Sequence, residues 1–330
     1  MPEELRVGLL SCGGMARALA RSLNTSGRAR IAMVCDVLES AASAFGTALD
    51  VPWTTRIEDV LSDGSIRAVI VATPNHTHAD VVEQAAAAGK HIFCEKPMAL
   101  SVADCDRMLT ATEAAGVHLC IGQVLRYLPV FEHTHRLIAE GRIGRPFAMR
   151  ISRLGGWGET QSWRQRRATC GGPLFEINIH ELDFMRYILG EPEVVYATGS
   201  QSVVSTVDFE DTALVTVRFA GGGHAVLHSS IGSAIPDYTA VIQGSEGTLA
   251  FRNGDSVEWK RPDGQGGRLQ GEALAVPDAH LRELSHLIDA VLDGVPPAIS
   301  GRDGRAAVAM AEAAVRSIQT GAPVALPPMG

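Results

Sequence analysis

Residues 6–16 have the sequence RVGLLSCGGMA, in which a short apolar run passes through a glycine turn into a helical pattern. The apolar run at 6–10 predicts a strand, and the pattern that continues to about Leu23 predicts a helix. The turn has the form S-x-G-x-x-A, where the dinucleotide-binding fingerprint has G-x-G-x-x-G/A. Gly13 stands where the backbone must approach a pyrophosphate, and the helix N-terminus then faces that anion. Because Ser11 replaces the first glycine, an ordinary turn between strand and helix is the alternative.

The second predicted strand, at 31–35, ends in Asp36, about 20 residues after the glycine turn. A carboxylate at this position accepts hydrogen bonds from the ribose hydroxyls of NAD and repels a 2′-phosphate. Val37 and Leu38 supply no cation for such a phosphate. The residues therefore favour NAD over NADP. The alternative is that Asp36 only caps the helix predicted at 39–45.

Apolar runs further along the chain continue the alternation of strand and helix. Strands are predicted at 68–72, 91–94 and 117–122, and helices at 57–61, 79–88 and 102–115. Such βαβ units imply right-handed crossovers and a doubly wound parallel sheet of the Rossmann type. We therefore predict an α/β domain over residues 1–123.

The stretch Phe93-Cys94-Glu95-Lys96-Pro97 places a carboxylate, an ammonium group and a proline at the C-terminal end of a predicted strand. Ligands bind outside these strand ends in open α/β sheets. A lysine there can hydrogen-bond a substrate hydroxyl or stabilise charge that develops on it. Pro97 restricts the backbone of Lys96 to extended conformations, so we expect the Lys96 side chain to have a defined direction. For this stretch alone, a surface turn with an exposed lysine is the alternative.

Residues 124–330 predict a second, α+β domain with a large, mostly antiparallel open sheet. A helix to about 140 is followed by a strand at 146–154. Further strands are predicted at 193–204, 211–220, 223–231, 238–243 and 247–251. Helices at 279–292 and 304–320 follow, and the last of them is expected to pack back on the first domain.

The segment Gly171-Gly172-Pro173 begins a predicted helix that continues to about Leu189. Glu176 and His180 are four residues apart, so they share one face of that helix. A carboxylate one turn from a histidine can orient the imidazole and raise its basicity. From the residues alone, a plain surface pair is the alternative.

The composition narrows the class of protein. The 330 residues carry a net charge of −8, which argues against a nucleic-acid partner because phosphate binding needs a basic face. The sequence has no run of 18 apolar residues and no signal-peptide core, so we expect a cytoplasmic protein without a membrane span. The six cysteines form no C-x-x-C pair and are expected to be buried free thiols. His76 and His78 are expected to cap or pack, and no metal site is predicted.

The segments ATPNHTH at 72–78 and AAGKHIFCEKP at 87–97 resemble, at this spacing, the Gfo/Idh/MocA family of oxidoreductases, which includes glucose–fructose oxidoreductase and inositol 2-dehydrogenases. The resemblance covers essentially the whole chain and is clearest over residues 5–190. It implies a NAD-dependent dehydrogenase or reductase that acts on a secondary alcohol or ketone of a sugar, cyclitol or related polyol, bound in a cleft between the domains. It also implies a homodimer or homotetramer that assembles through the C-terminal sheet.

The same resemblance implies roles for individual residues. Lys96 contacts the reacting hydroxyl beside the nicotinamide, and His180 is the general acid/base, with Glu176 in the place of the usual aspartate. The residues expected to bind the cofactor are Ser11, Gly13, Gly14, Met15, Asp36, Thr73, Pro74, Asn75, His78, Glu95, Lys96 and Gln123. The residues expected to contact the substrate are Arg126, Tyr127, Trp163, Arg164, Asn178 and His180. For Arg126, a structural salt bridge at the domain boundary is an equal alternative.

Other classes of enzyme need features that this sequence does not have. A short-chain dehydrogenase needs Tyr-x-x-x-Lys, and none of the four tyrosines has a lysine four residues later. A zinc alcohol dehydrogenase needs Cys and His ligands that the sequence does not group. Two alternatives stay open: a NAD-assisted glycoside-cleaving enzyme of the same family, and a non-catalytic NADH-binding regulator. Lys96 and His180 argue against the regulator, because a sensor has no need of them.

Overall fold

The computed structural model describes residues 4–157 and 162–328, which divide into two units. The first unit contains the chain as far as Val124 together with Pro277–Arg305, and the second contains Leu125–Val276 together with the residues from Ala306 onward. The break after Val124 lies one residue from the predicted domain boundary. Residues 277–305, which the sequence-based division assigned to the second domain, group with the first unit.

A six-stranded parallel sheet forms the centre of the first unit. Its strands are β1 Leu5–Leu10, β2 Ala29–Cys35, β3 Trp53–Thr54, β4 Ala68–Val71, β5 His91–Cys94 and β6 Leu119–Ile121. The helices between them are α1 Gly14–Asn24, α2 Glu39–Leu49, α3 Ile57–Ser62, α4 His78–Ala87 and α5 Val102–Ala115. The strand order is β3-β2-β1-β4-β5-β6, so the direction of winding reverses between β1 and β4. The predicted doubly wound parallel sheet is confirmed, and only the two-residue β3 was not predicted.

Burial explains why these residues form a sheet covered on both faces. All four residues of β4 are buried, as expected for a central parallel strand. Helix α1 packs its apolar side, which includes Leu19 and Leu23, into the core with Leu9 of β1. Helix α5 begins at a conventional cap, since Ser101 Oγ accepts the backbone N–H of Asp104.

The second unit is built on a nine-stranded sheet. Its strands are β7 Pro146–Gly156, β8 Pro192–Ser200, β9 Thr212–Phe219, β10 His224–Ser230, β11 Gly232–Gly244, β12 Thr248–Arg252, β13 Ser256–Lys260, β14 Gly266–Gln270 and β15 Val324–Ala325. Their order is β14-β13-β12-β11-β7-β10-β9-β8-β15, and within this sheet β7 and β10 form the one parallel pair among the described residues. The prediction of a large, mostly antiparallel sheet is confirmed, although β13, β14 and β15 were not predicted.

The described residues of this unit also form four shorter helices: α6 Pro129–Ala139, α7 Arg167–Cys170, α8 Pro173–Glu176 and α9 Ile179–Leu189. Helices α8 and α9 pack on the central strands β7 and β10, and α6 packs on β12 and β13. On the other face the alternation of β9 leaves Leu214 half-exposed, and Tyr196 of β8 is also exposed. The homodimer or homotetramer predicted to form through this sheet stays a prediction.

Two long helices, α10 Ala279–Asp293 and α11 Gly301–Thr320, lie in the chain between β14 and β15. Asp278 caps α10 by accepting the backbone N–H groups of His280 and Leu281, and its other oxygen accepts the hydroxyl of Ser22. Leu284 and Leu287 of α10 then join the core of the first unit. The first five residues of α11 group with the first unit and the remainder with the second.

Within the described residues, none of the helices is both long enough and apolar enough to cross a membrane.

Gly8 of β1 generates a stability prediction, because a Cβ there would lie 2.4 Å from Cγ1 of Val60. We expect Gly8→Ala to lower the free energy of unfolding by about 1–3 kcal/mol through overpacking. The matched control is Gly64→Ala, whose added Cβ meets nothing within 4 Å, and we expect it to change the free energy by less than about 1 kcal/mol. Urea denaturation measures both values. Equal effects of the two substitutions would contradict the assignment of Gly8 to a packing constraint.

Candidate active site

The turn after β1 brings the first predicted cofactor residues to the C-terminal edge of the parallel sheet. Ser11 has φ 107°, a conformation that favours glycine, and its Oγ accepts the N–H of Gly13 at 3.2 Å. Gly13 is the N-cap of α1 and makes no side-chain cap. Gly14 and Met15 follow it in the exposed first turn of the helix. Backbone N–H groups at such a helix end are suited to an anion.

The Asp36 carboxylate accepts two hydrogen bonds from backbone N–H groups, one of which belongs to this turn. Its Oδ2 accepts the N–H of Cys12 at 2.8 Å, and its Oδ1 accepts the N–H of Leu38 at 2.9 Å. The first bond fixes the end of β2 against the turn after β1. Each carboxylate oxygen keeps a lone pair for a further donor. The N-cap of α2 is Leu38, without a side-chain cap, so Asp36 does not serve as that cap, and its predicted contact with the ribose hydroxyls stays a prediction.

The loops after β4 and β5 are connected through His78, which is fully buried. Its Nδ1 lies 2.9 Å from the carbonyl oxygen of Pro97, and its Nε2 lies 2.9 Å from that of Thr73. Pro74 follows Thr73, and Asn75 is buried in the short helical turn that comes next. His78 thus has a clear structural contact with both loops, and its predicted contact with the cofactor stays a prediction.

Lys96 follows β5 and is half-buried, whereas Glu95 before it is almost completely buried. Glu95 Oε2 accepts the backbone N–H of Lys96 at 3.1 Å. Gly122, just after β6, leaves the space for this carboxyl group, since a Cβ there would lie 3.3 Å from Glu95 Cδ. Gln123 is the next residue and is fully buried. The structure therefore brings these predicted residues to the ends of adjacent strands.

A second buried carboxyl group lies near Glu95. Glu283 of α10 is 2% exposed, its Oε1 is 2.9 Å from His280 Nδ1, and its Oε2 has no hydrogen-bond partner among the described residues. Burial raises the pKa of Glu95 to about 8, and the negative charge of Glu283 adds to the rise. Burial also raises the pKa of Glu283 well above its ordinary value, with a smaller contribution from Asp278. Nothing in the sequence indicated this pair.

In the second unit, the helix predicted from Pro173 to Leu189 is interrupted, which corrects the sequence-based expectation. Helix α8 ends at Glu176, and α9 begins at Ile179. Between them the N–H of Asn178 bonds the carbonyl of Pro173, five residues back, at 2.8 Å. This adds one residue to the turn, as in a π-bulge. Glu176 and His180 are consequently not related by four residues of one regular helix.

Glu176 forms an ion pair with Arg164, in which Nη2 is 2.9 Å from Oε1. The Arg164 guanidinium lies over the ring of Trp157, 5.1 Å from its centroid. Both carboxyl and guanidinium thus belong to one cluster, which brings together two of the predicted site residues. His180 is 8% exposed near the start of α9. The predicted role of Glu176 in orienting His180 stays a prediction.

Arg126 is buried in a bidentate ion pair with Asp183 of α9. Its Nε and Nη2 donate to the two carboxylate oxygens at 2.7 and 2.6 Å. The guanidinium also lies 4.4 Å from the ring centroid of Tyr187. This geometry matches the structural alternative given for Arg126. Its neighbour Tyr127 is half-buried, and a substrate contact from either residue stays a prediction.

Two other predicted substrate residues lie in different surroundings. Trp163 packs against a small apolar cluster around Cys170 and Phe209. Asn178 is fully buried, its Nδ2 donates to Glu181 at 3.0 Å, and its Oδ1 accepts the hydroxyl of Ser229 at 2.6 Å. The Asn178 side chain is thus engaged within the fold, and its contact with a substrate stays a prediction.

All six cysteines are buried free thiols, as predicted.

An apolar groove of about 450 Å³ opens within the second unit. Its walls include Leu128, Leu154 and Pro236, and its polar groups include Asp237 and Asn253. A mostly apolar wall with a few polar groups is typical of small-molecule sites. The sequence did not indicate this groove, because its lining comes from four separate segments.

Two family models match the chain. Residues 5–123 match the model described as an oxidoreductase family with an NAD-binding Rossmann fold, and residues 131–250 match the Gfo/Idh/MocA C-terminal domain. The chain is 31% identical over 326 residues to a myo-inositol 2-dehydrogenase of Thermotoga maritima, covering 96% of both proteins. The chain belongs to the Gfo/Idh/MocA oxidoreductase family.

Two further relatives of this family member are informative. A 2,7-anhydro-N-acetylneuraminate hydratase of Escherichia coli is 31% identical over 268 residues, covering 79% of this chain and 71% of that protein. The crystal structure of GenD2 from gentamicin A biosynthesis, in complex with NAD, is 28% identical with a TM-score of 0.87, covering 99% of this chain and 98% of that one. Proteins similar to this chain therefore carry names from more than one class of reaction, a dehydrogenase and a hydratase among them.

NAD is the cofactor of this Gfo/Idh/MocA protein, and its residues fit that molecule. Helix α1 has no acidic side chain in its first turn and no side-chain cap, so its N–H groups suit a pyrophosphate. The Asp36 carboxylate would hold the ribose hydroxyls. Residues 37–40 contain no Lys or Arg for a 2′-phosphate. The expectation of NAD, made from the same residues, is confirmed.

The buried Glu95 generates a prediction about pH. Its pKa in the folded protein is about 8 against an ordinary value of 4.5, so the folded state retains a proton that the unfolded state has lost between those values. The free energy of unfolding should therefore fall as the pH rises from about 4.5 to about 8, by at most about 1.4 kcal/mol per pH unit from this one group.

Urea denaturation from pH 5 to pH 8 measures this slope, and Glu95→Gln should make it shallower. The matched control is Glu113→Gln, which changes an exposed carboxylate paired with Arg302 and should leave the slope as it is. A slope that Glu95→Gln leaves unchanged would contradict a protonated Glu95.

Proposed function

We propose that this protein transfers a hydride between NAD and a secondary alcohol or ketone of a sugar, cyclitol or related polyol. The observation that carries the proposal is the position of Lys96 at the C-terminal end of β5, in the edge where a parallel sheet binds its ligands. The family membership supports the use of NAD. The named activity of the Thermotoga maritima relative, over 96% of both chains, supports the substrate class.

In this mechanism, side chains of the protein transfer the proton of the reacting hydroxyl and stabilise the charge on its oxygen. When bound, NAD supplies the acceptor or donor of the hydride. His180 takes the proton of the reacting hydroxyl in oxidation and returns it in reduction. Lys96 hydrogen-bonds the same oxygen and stabilises the negative charge that develops on it. The hydrogen bond from the backbone N–H of Lys96 to the Glu95 carboxyl group supports a fixed backbone at the lysine.

A second candidate is a redox-neutral reaction, in which bound NAD would supply the hydride chemistry without net formation of NADH. The name of the Escherichia coli relative favours it, because a hydratase adds or removes water without net oxidation of its substrate. The glycoside-cleaving alternative belongs to the same class. Both candidates use the same cofactor site and the same acid/base residues, so they differ in whether NADH is released.

The experiment that separates them is a fluorescence titration of the purified protein with NADH and NADPH, followed by a substrate panel. The panel contains inositols, pyranoses, their keto forms, anhydrosugars and aryl glycosides, with NADH formation and product release followed together. We expect binding of NADH and net NADH formation or consumption with a polyol or its ketone. Product release without a net change in NADH would overturn the dehydrogenase in favour of the redox-neutral reaction.

The role of His180 gives a sharper prediction. We expect His180→Ala to lower kcat by about 10²–10⁴, the usual contribution of a general acid/base, while NADH binding survives. His228→Ala is the matched control, since it removes a half-buried imidazole from β10 of the same unit. Asp36→Ala should show the opposite pattern and weaken NADH binding first. Loss of NADH binding in step with kcat in His180→Ala would remove His180 from the chemistry.

A further inference from the structure

A row of polar residues crosses three adjacent strands of the second unit. In the strand register, Ser229 of β10 lies opposite Arg153 of β7, and Arg153 lies opposite Tyr238 of β11. Residues that are partners in register project from the same face of a sheet. Together with Asn178 and Glu181, which they contact, these three residues are called the polar row below.

The polar row converges on Glu181 in the first turn of α9, which is fully buried. Glu181 Oε1 accepts the Tyr238 hydroxyl at 2.5 Å and Arg153 Nη1 at 2.8 Å, and Oε2 accepts Asn178 Nδ2 at 3.0 Å. Ser229 completes the row by donating to Asn178 Oδ1 at 2.6 Å. Burial and the adjacent carboxylate raise the pKa of Tyr238 well above its ordinary value, so the phenol remains a donor. A satisfied buried network of this kind fixes one arrangement of its members.

Helix α9 begins without the cap that its sequence could supply. Asn178 occupies the N-cap position, where its side chain would ordinarily accept an N–H of the first turn, yet it makes no such bond. Its amide is used in the polar row instead. The extra residue in the turn between α8 and α9 also removes the constraint of one continuous helix. The start of α9 is therefore set by its contacts with the sheet.

In the sequence, His180 lies between Asn178 and Glu181, the two residues of the polar row at the start of α9. We propose that Tyr238 and Ser229, acting through Glu181 and Asn178, are positioning residues for His180. Holding the chain on both sides of His180 fixes the rotation of α9 about its axis, and so the direction of the imidazole. The inference rests on the proposed role of His180 as acid/base. A displacement of about 1 Å in such a group costs about 10² in rate.

The first test is kinetic and uses the full chain with NAD. Tyr238→Phe and Ser229→Ala remove hydrogen bonds at opposite ends of the row, and each should lower kcat by about 10- to 100-fold with NADH affinity unchanged. Tyr196→Phe removes an exposed phenol from β8 and is the matched control, expected to leave kcat unchanged. Each variant is also combined with His180→Ala. If the row acts through His180, the double variants should be no slower than His180→Ala alone.

The second test does not depend on turnover. In protein labelled with ¹³C-histidine, the His180 imidazole cross-peak is assigned by its loss in His180→Gln. We expect Tyr238→Phe and Ser229→Ala to shift or split this cross-peak, and Tyr196→Phe to leave it in place.

The outcomes separate this inference from the proposed function. A lowered Tm with unchanged kcat and an unchanged His180 cross-peak would overturn the positioning role, as would rate losses that multiply with that of His180→Ala. If the unaltered protein binds NADH but turns over nothing in the panel, the proposed function fails. The NMR cross-peak of His180 then decides by itself whether Tyr238 and Ser229 position that residue. A perturbed cross-peak would then still support the positioning of His180.

Discussion

The parallel direction of the six strands in the first unit is the constraint on which the site depends. Because every strand runs the same way, the turns after β1, β2, β4, β5 and β6 meet at one edge of the sheet. The glycine turn, Asp36, the Thr73 loop and Glu95-Lys96-Pro97 are far apart in the chain but are brought to this edge together. Asp36 accepts the backbone N–H of Cys12 in the turn after β1, and the two ring nitrogens of His78 each lie 2.9 Å from a carbonyl oxygen, one in the loop after β4 and one in the loop after β5.

Each unit contains buried carboxyl groups, and the two units accommodate them in different ways. In the first, Glu95 and Glu283 lie almost out of water, and the rise in their pKa values means that the pair avoids a double negative charge. In the second, Glu181 and Asp183 are equally buried but each is paired with an arginine. Breaking such a pair leaves an uncompensated buried charge, which costs about 3–5 kcal/mol. Helix α9 is therefore attached by two ion pairs, to Arg126 and to Arg153.

Much of this architecture could be predicted because periodicity and turn chemistry are local. The strands and helices of the first domain follow from short apolar runs and glycine turns, and the cofactor from Gly13 and Asp36. The prediction was wrong where a local pattern was extended too far, as in the single helix from Pro173 to Leu189. A one-residue bulge hardly changes the helical pattern of the sequence, but it changes which side chains share a face of the helix. Glu176 and His180 therefore do not lie one regular turn apart.

By itself, the sequence determined the fold class, the cofactor and the family, since each depends on residues close together in the chain or on motifs at a fixed spacing. Only the tertiary structure decided the partners of the buried polar groups. Tyr238 meets Arg153 through strand register, and Glu283 comes near Glu95 because α10 packs into the core of the first unit. Neither relation has a local signal, because register and packing are set by the whole sheet and core rather than by neighbouring residues.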